Sequence, residues 1–144
     1  MTNSIDWNGF HHVALVTPDL DATIAFYGDL LGMQIGKIFP ATPERGRHCF
    51  IKPGNNDTWG IHFFEYPDAE IFGAGDALQD RFAFLRGALQ HIAFALPDES
   101  AGNILLERLE AHNIANTGIN DIGSLRNIMF LDNIGIMLEA AWSK

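Results

Sequence analysis

Cysteine, cationic charge and long apolar runs are all scarce in this chain. Cys49 is the single cysteine, so no intrachain disulfide can form and a reducing compartment is expected. Nine Lys and Arg stand against eighteen Asp and Glu, a formal charge of −9. That balance excludes nucleic acid and anionic membranes as natural partners, because both need a positive surface. No stretch approaches the ~20 consecutive apolar residues of a membrane span. The opening residues, MTNSIDWNG, lack the basic and apolar regions of an export signal, so a cytoplasmic location is expected.

What is present is enough to fold without a covalent staple. The chain has 144 residues, 47% of them hydrophobic, which fits a single domain over 1–144. A domain of this size buries roughly 68–70% of its extended-chain surface.

The stretch FHHVALVTPDLDATIAFYGDLLG (10–32) organises the rest. Its first part alternates as a strand, with His12, Ala14 and Val16 on one face and His11, Val13 and Leu15 on the other. Pro18-Asp19 stops that strand. Leu20, Ile24, Tyr27 and Leu31 then recur at helical spacing, with Asp19 as N-cap and Gly32 as the terminating glycine. Strands are expected over 33–40, 47–52 and 59–66, giving βαβββ. Residues 67–88 read as a connector, with Leu78, Phe82 and Leu85 marking one short helix.

From Leu89 the pattern returns. HHVALVTPD (11–19) and QHIAFALPD (90–98) align at an offset of 79, pairing His12 with His91, Ala14 with Ala93, Pro18 with Pro97 and Asp19 with Asp98. A helix over 99–112 follows, then strands over 114–117, 125–131 and 136–142. The fold class is therefore α+β: two tandem βαβββ modules, 8–66 and 89–142, forming a paired, curved mixed sheet around a cavity.

Each module opens with a histidine and closes with a polar residue on its last strand: His12 and His62, then His91 and Glu139. The faces of His12 and His91 carry the small residues Ala14, Ala93 and Ala95, which leave room for a ligand, while the opposite faces carry bulk. An isolated strand histidine is usually a hydrogen-bonded packing residue, the reading that fits His11, His48 and His112. Three histidines and a glutamate at repeat-related positions instead make the ligand set of one divalent ion: Fe, Zn, Mn, Ni or Co. Arg47 is a candidate clamp for a substrate carboxylate. Phe64, Trp59 and Met137 are candidate pocket walls.

These motifs, with the closing IGIMLEA, resemble the vicinal oxygen chelate superfamily: glyoxalase I, methylmalonyl-CoA epimerase, extradiol dioxygenases, and the fosfomycin and bleomycin resistance proteins. The resemblance covers nearly the whole chain. It implies a metal held by first and last strands, with His12, His91 and Glu139 on the family's ligand positions and His62 on the fourth. Proteins similar to glyoxalase I usually place glutamate at that fourth position, and the epimerases glutamine. Extradiol dioxygenases carry a tyrosine where this chain has Met129. The expected activity is metal-dependent chemistry on the vicinal oxygens of a small organic substrate, either glyoxalase-type lyase or isomerase or extradiol-type dioxygenase. His62 and Glu139 are the catalytic candidates, with His62 as ligand or base. The alternative is a non-catalytic drug-binding or resistance protein. A homodimer is expected either way, since open sheet edges call for cover.

Overall fold

The computed structural model describes residues 5, 8–55, 60–69 and 89–144. Trp59 and the connector stripe Leu78, Phe82 and Leu85 lie outside them. The described chain runs β1 (His12–Thr17), α1 (Leu20–Ile24), β2 (Gln34–Ile35), β3 (His48–Lys52), β4 (Gly60–Glu65), β5 (Ile92–Ala95), α2 (Glu99–Ala111), β6 (Asn120–Ile122), β7 (Leu125–Leu131) and β8 (Met137–Ser143). These make two four-stranded sheets of matching order, β1-β4-β3-β2 and β5-β8-β7-β6. In each, the first strand lies parallel to the last and the other pairs are antiparallel. The paired βαβββ architecture expected from the repeat is the one observed.

Both helices start as their sequences dictate. The Asp19 carboxylate accepts from the Ala22 amide at 2.9 Å, and Asp98 accepts from Ala101 at the same distance. Gly32 ends the first helix at φ 73°, in the left-handed region that glycine enters without steric cost. Beyond Ile24 that helix widens into a π turn over Ala25–Leu30, closed by the Leu31 amide on the Phe26 carbonyl. The buried residues are Leu20, Thr23, Phe26, Tyr27 and Leu30, while the expected Ile24 and Leu31 pack against the core half-buried at the edge of that stripe.

Two strands differ from expectation. Residues 33–40 pair only over Gln34–Ile35, with a further single bridge from Phe39 to His48. The Gly36 amide bonds Phe50, so between Gly36 and Phe39 this outer strand carries one residue more than its partner and bulges. Residues 114–117 touch β7 through a single bridge at Asn116, and the strand proper falls at Asn120–Ile122. There the Asn116 side chain bonds the Ile114 carbonyl and the Gly118 amide, and so competes with the sheet ladder.

The inner faces of both sheets share one core, with Cys49, Ile51, Ile61 and Phe63 from the first and Ile128, Phe130, Leu138 and Trp142 from the second. Three polar contacts tie the modules across it. The Tyr27 hydroxyl donates to Asp132 at 2.8 Å, Asn133 donates to Thr23 at 3.1 Å, and Arg108 donates to the Leu30 carbonyl at 3.3 Å. The histidine-bearing faces are the opposite ones. On β1, His12, Ala14 and Val16 are exposed while Val13 and Leu15 turn inward.

Candidate metal and substrate site

Strand register places the candidate ligands at equivalent points. His62 lies opposite Ala14 on β1 and Phe50 on β3, whereas Glu139 lies opposite Ala93 on β5 and Met129 on β7. Within the second module the pair is made: His91 Nε2 sits 3.0 Å from Glu139 Oε2. Within the first, the His12 and His62 rings approach edge-on at 5.9 Å between centroids. Among the described residues no group of three or more His, Cys, Asp or Glu side chains converges, and the candidate ligands stand as two pairs, His12 with His62 and His91 with Glu139.

Each first-strand histidine is held by the residue before it. His91 Nδ1 bonds Gln90 Oε1, and His12 Nδ1 lies 2.7 Å from His11 Nδ1. Bonding Nδ1 outward leaves Nε2 as the nitrogen a metal would take, the usual arrangement around metal-binding histidines. The 3.0 Å between His91 Nε2 and Glu139 Oε2 suits two adjacent ligands of one ion, each about 2.1 Å from it and about 90° apart. The donor chemistry of imidazole and carboxylate thus fits a divalent ion.

His62 is buried among rings. Phe50 stacks on it at 3.9 Å and Phe64 lies tilted at 4.1 Å. His48 Nδ1 meets His62 Nε2 at 2.8 Å. Burial above all, then the neighbouring His48, His12 and Arg45, push the His62 pKa down to about 4, so the ring is neutral at pH 7. His48 is pushed down for the same first reason, with Arg45 as the second.

Of the proposed pocket residues, Phe64 does share the face of His62. Met137 shares the face of Glu139 and accepts a weak contact from Gln90. Arg47 is placed differently. Strand alternation turns it to the helix side, where Glu65 receives it at 2.7 Å through both Nε and Nη2 and Asp21 at 3.1 Å. A substrate carboxylate there would have to displace two resident carboxylates. Arg45 is instead the cation whose field reaches His48 and His62. An open cleft of about 340 Å³ lies along β5 and β8, lined by Ala93, Ala95, Leu125 and Ala141 among others.

Sequence reasoning took His48 for a packing residue and gave no role to Arg45 or Asn127. On β3 His48 lies two residues from Phe50, the position opposite His62. Asn127 is its counterpart on β7, two residues before the position opposite Glu139.

Two matching βαβββ sheets, each with a histidine at its first strand near a polar residue of its last, define a paired-module fold. The chain belongs to the Glyoxalase/Bleomycin resistance protein/Dioxygenase superfamily, whose family model matches residues 9–140. It is 29% identical over 106 residues to the mitochondrial methylmalonyl-CoA epimerase of Mus musculus, covering 73% of this chain and 55% of that one. It therefore spans about half the length of that relative. Among solved structures, a glyoxylase/bleomycin resistance protein/dioxygenase domain from Frankia sp. EAN1pec superposes with a TM-score of 0.76 at 19% identity, covering 96% of this chain and 94% of that one. TnmS3, an antibiotic binding protein from Streptomyces sp. CB03234, superposes with 0.67 at 15% identity over 98% and 100%. At such identities these structures establish the fold.

Proposed function

We propose that this protein is a metal-dependent lyase or isomerase acting on a small organic substrate with two adjacent oxygens. The contact of His91 Nε2 with Glu139 Oε2, echoed by the His12–His62 approach, carries the reading. A sequestering pocket has no need of that quartet. His12, His91 and Glu139 hold the ion, and His62 completes the set. Neutrality suits His62 to ligation, whereas a base titrating near 4 is poorly matched to proton abstraction at pH 7. When bound, the ion supplies positive charge to the substrate's vicinal oxygens. Glu139 is the carboxylate available to move a proton, Phe64 and Met137 flank the substrate, and Arg45 is the cation placed to meet an acidic group. Met129 opposite Glu139, where extradiol enzymes carry tyrosine, favours proton transfer over ring cleavage.

The lack, among the described residues, of a converging group of three such side chains supports a homodimer in which the His12–His62 pair of one copy meets the His91–Glu139 pair of another. Among the described residues β1 and β5 are the outer strands of their sheets, and such edges can take a partner. A mixing experiment tests both claims. Purified wild type is expected to retain about one divalent ion per chain, and His12→Ala and His91→Ala to lose it. An equimolar refolded mixture of the two variants is expected to recover binding in its heterodimers, which contain one intact site. Undiminished metal in His91→Ala refutes the ligand assignment, and a mixture without recovery refutes the shared site. Methylmalonyl-CoA, the substrate named for the mouse relative, is the first to try, by solvent deuterium uptake at its α-carbon. Retained organic ligand with no metal and no exchange would favour the binding-protein alternative.

A further inference from the structure

We propose that Asn127 is a positioning residue that fixes which oxygen of Glu139 faces the site. Asn127 is 7% exposed and reaches diagonally from β7 to β8, where its Nδ2 donates to Glu139 Oε1 at 2.7 Å. The sense of that bond is set by a chain of groups ending on the backbone. The Met129 amide, which can only donate, gives its proton to Thr117 Oγ1 at 3.0 Å. The Thr117 hydroxyl spends its own proton on the Gly118 carbonyl, an acceptor, at 2.9 Å. Its remaining partner, Asn120 Nδ2 at 2.9 Å, must therefore donate. The same Nδ2 donates to Asn127 Oδ1 at 3.1 Å, which leaves the Asn127 amide nitrogen turned toward Glu139. With Oε1 so engaged, Oε2 is the oxygen presented to His91 Nε2. Glu139 is thereby prepared to bind through one oxygen.

The internal repeat gives an independent reason. His48 stands on β3 where Asn127 stands on β7, each two residues before the residue opposite the site group, and His48 bonds His62 along the same diagonal. A cross-strand diagonal is within reach of such side chains. Both modules thus use the penultimate strand to hold the polar residue of the last, through a ring in one case and an amide in the other. Packing alone gives no reason for two polar pairs at the same register.

The orientation of Glu139 stands by itself; its consequence for metal affinity rests on the proposed function. The test uses the full chain and Co²⁺ as probe. Asn127→Leu keeps the branched shape and removes the donor, while Asn127→His installs the residue that the first module uses. In a metal-free crystal structure of Asn127→Leu, the Glu139 carboxylate is expected to leave its position and lose the His91 contact. By calorimetric titration its Co²⁺ affinity is expected to fall 10- to 100-fold, in line with damage to the partners of metal ligands. Asn127→His is expected to recover most of that loss, which a merely structural role would not predict. Glu139 unmoved in Asn127→Leu, or Co²⁺ bound as tightly as by wild type, overturns the proposal. Should wild type itself bind no Co²⁺, the metal reading fails and the crystal structure alone judges the positioning. If Asn127→Leu does not fold, Asn120→Ala frees the Asn127 amide to turn over, and the same displacement and a weaker affinity are expected; an unmoved Glu139 there refutes the chain.

Discussion

Tyr27→Phe is the substitution that weighs how firmly the two modules are joined. Tyr27 is fully buried, and its hydroxyl donates to Asp132 Oδ2 at 2.8 Å, across 105 residues of sequence. Asp132 is also buried, and its Oδ1 accepts from the amides of Ile134 and Ile136 at 3.0 and 2.8 Å. Burial pushes the Asp132 carboxyl above its ordinary value, and the Tyr27 hydroxyl works in the opposite direction. Burial, then the Asp132 charge, hold the phenol protonated far above its usual range. Removing the hydroxyl takes a charge-assisted hydrogen bond from a carboxylate that water cannot rescue, a loss of about 2 kcal/mol. For a domain of this size that is roughly 4–8 °C in Tm. The pH dependence identifies the cause. In the wild type, a raised folded-state pKa means that Asp132 favours folding while protonated, and that this contribution is lost as pH rises through the folded pKa. In Tyr27→Phe the folded pKa rises further, so the gap between variants is widest above both folded values. It narrows as pH falls through them and the carboxyl becomes neutral in each. Urea unfolding at pH 7 and at successively lower pH reads this directly. A gap that does not narrow on acidification, or one below about 0.5 kcal/mol at pH 7, would refute the assignment.

Gly102→Ala ought to stabilise an exposed helix by about 1 kcal/mol, yet here the new methyl would stand 2.5 Å from Cη2 of the buried Trp142. Overpacking of this kind costs typically 1–3 kcal/mol, so a net loss of up to about 2 kcal/mol is expected in thermal unfolding, and a stabilised variant would contradict it. Because Trp142 Nε1 has no hydrogen-bond partner among the described residues, Trp142→Phe removes no bond seen there, and Gly102→Ala should be milder in that background. Arg47 above all holds the Glu65 carboxyl below its usual range. Its contribution is therefore complete above the unfolded-state pKa and lost as pH falls through the folded one; Glu65→Gln should flatten the acid limb of the stability profile, and an unchanged limb would count against the ion pair. His62→Ala is expected to lower Co²⁺ affinity by roughly 10- to 100-fold. Full metal content in that variant would reject ligation.

How much of this was legible in the sequence follows from the range of each interaction. The strand alternation of 12–16 and the cap at Asp19, repeated at its partner Asp98, are set by neighbours a few residues apart, and they appear where the sequence puts them. The matched order of the two sheets was legible because the chain states it twice. Arg47 was misplaced for want of a parity argument: one residue from His48, it must face the other way, toward Glu65 and Asp21. The bulge between Gly36 and Phe39 and the local bonds of Asn116 depend on what the backbone meets across the sheet, which no periodicity records. His48 and Asn127 are the instructive pair. Neither shows in a pattern that compares His12 with His91, because a histidine and an asparagine share no side-chain class. What they share is register, each two residues from the position opposite a site group, and register exists only once the strands are paired. The repeat that picks out the proposed ligand positions thus also carries the polar residues bonded to their last-strand members, in a form that only the folded sheet makes readable.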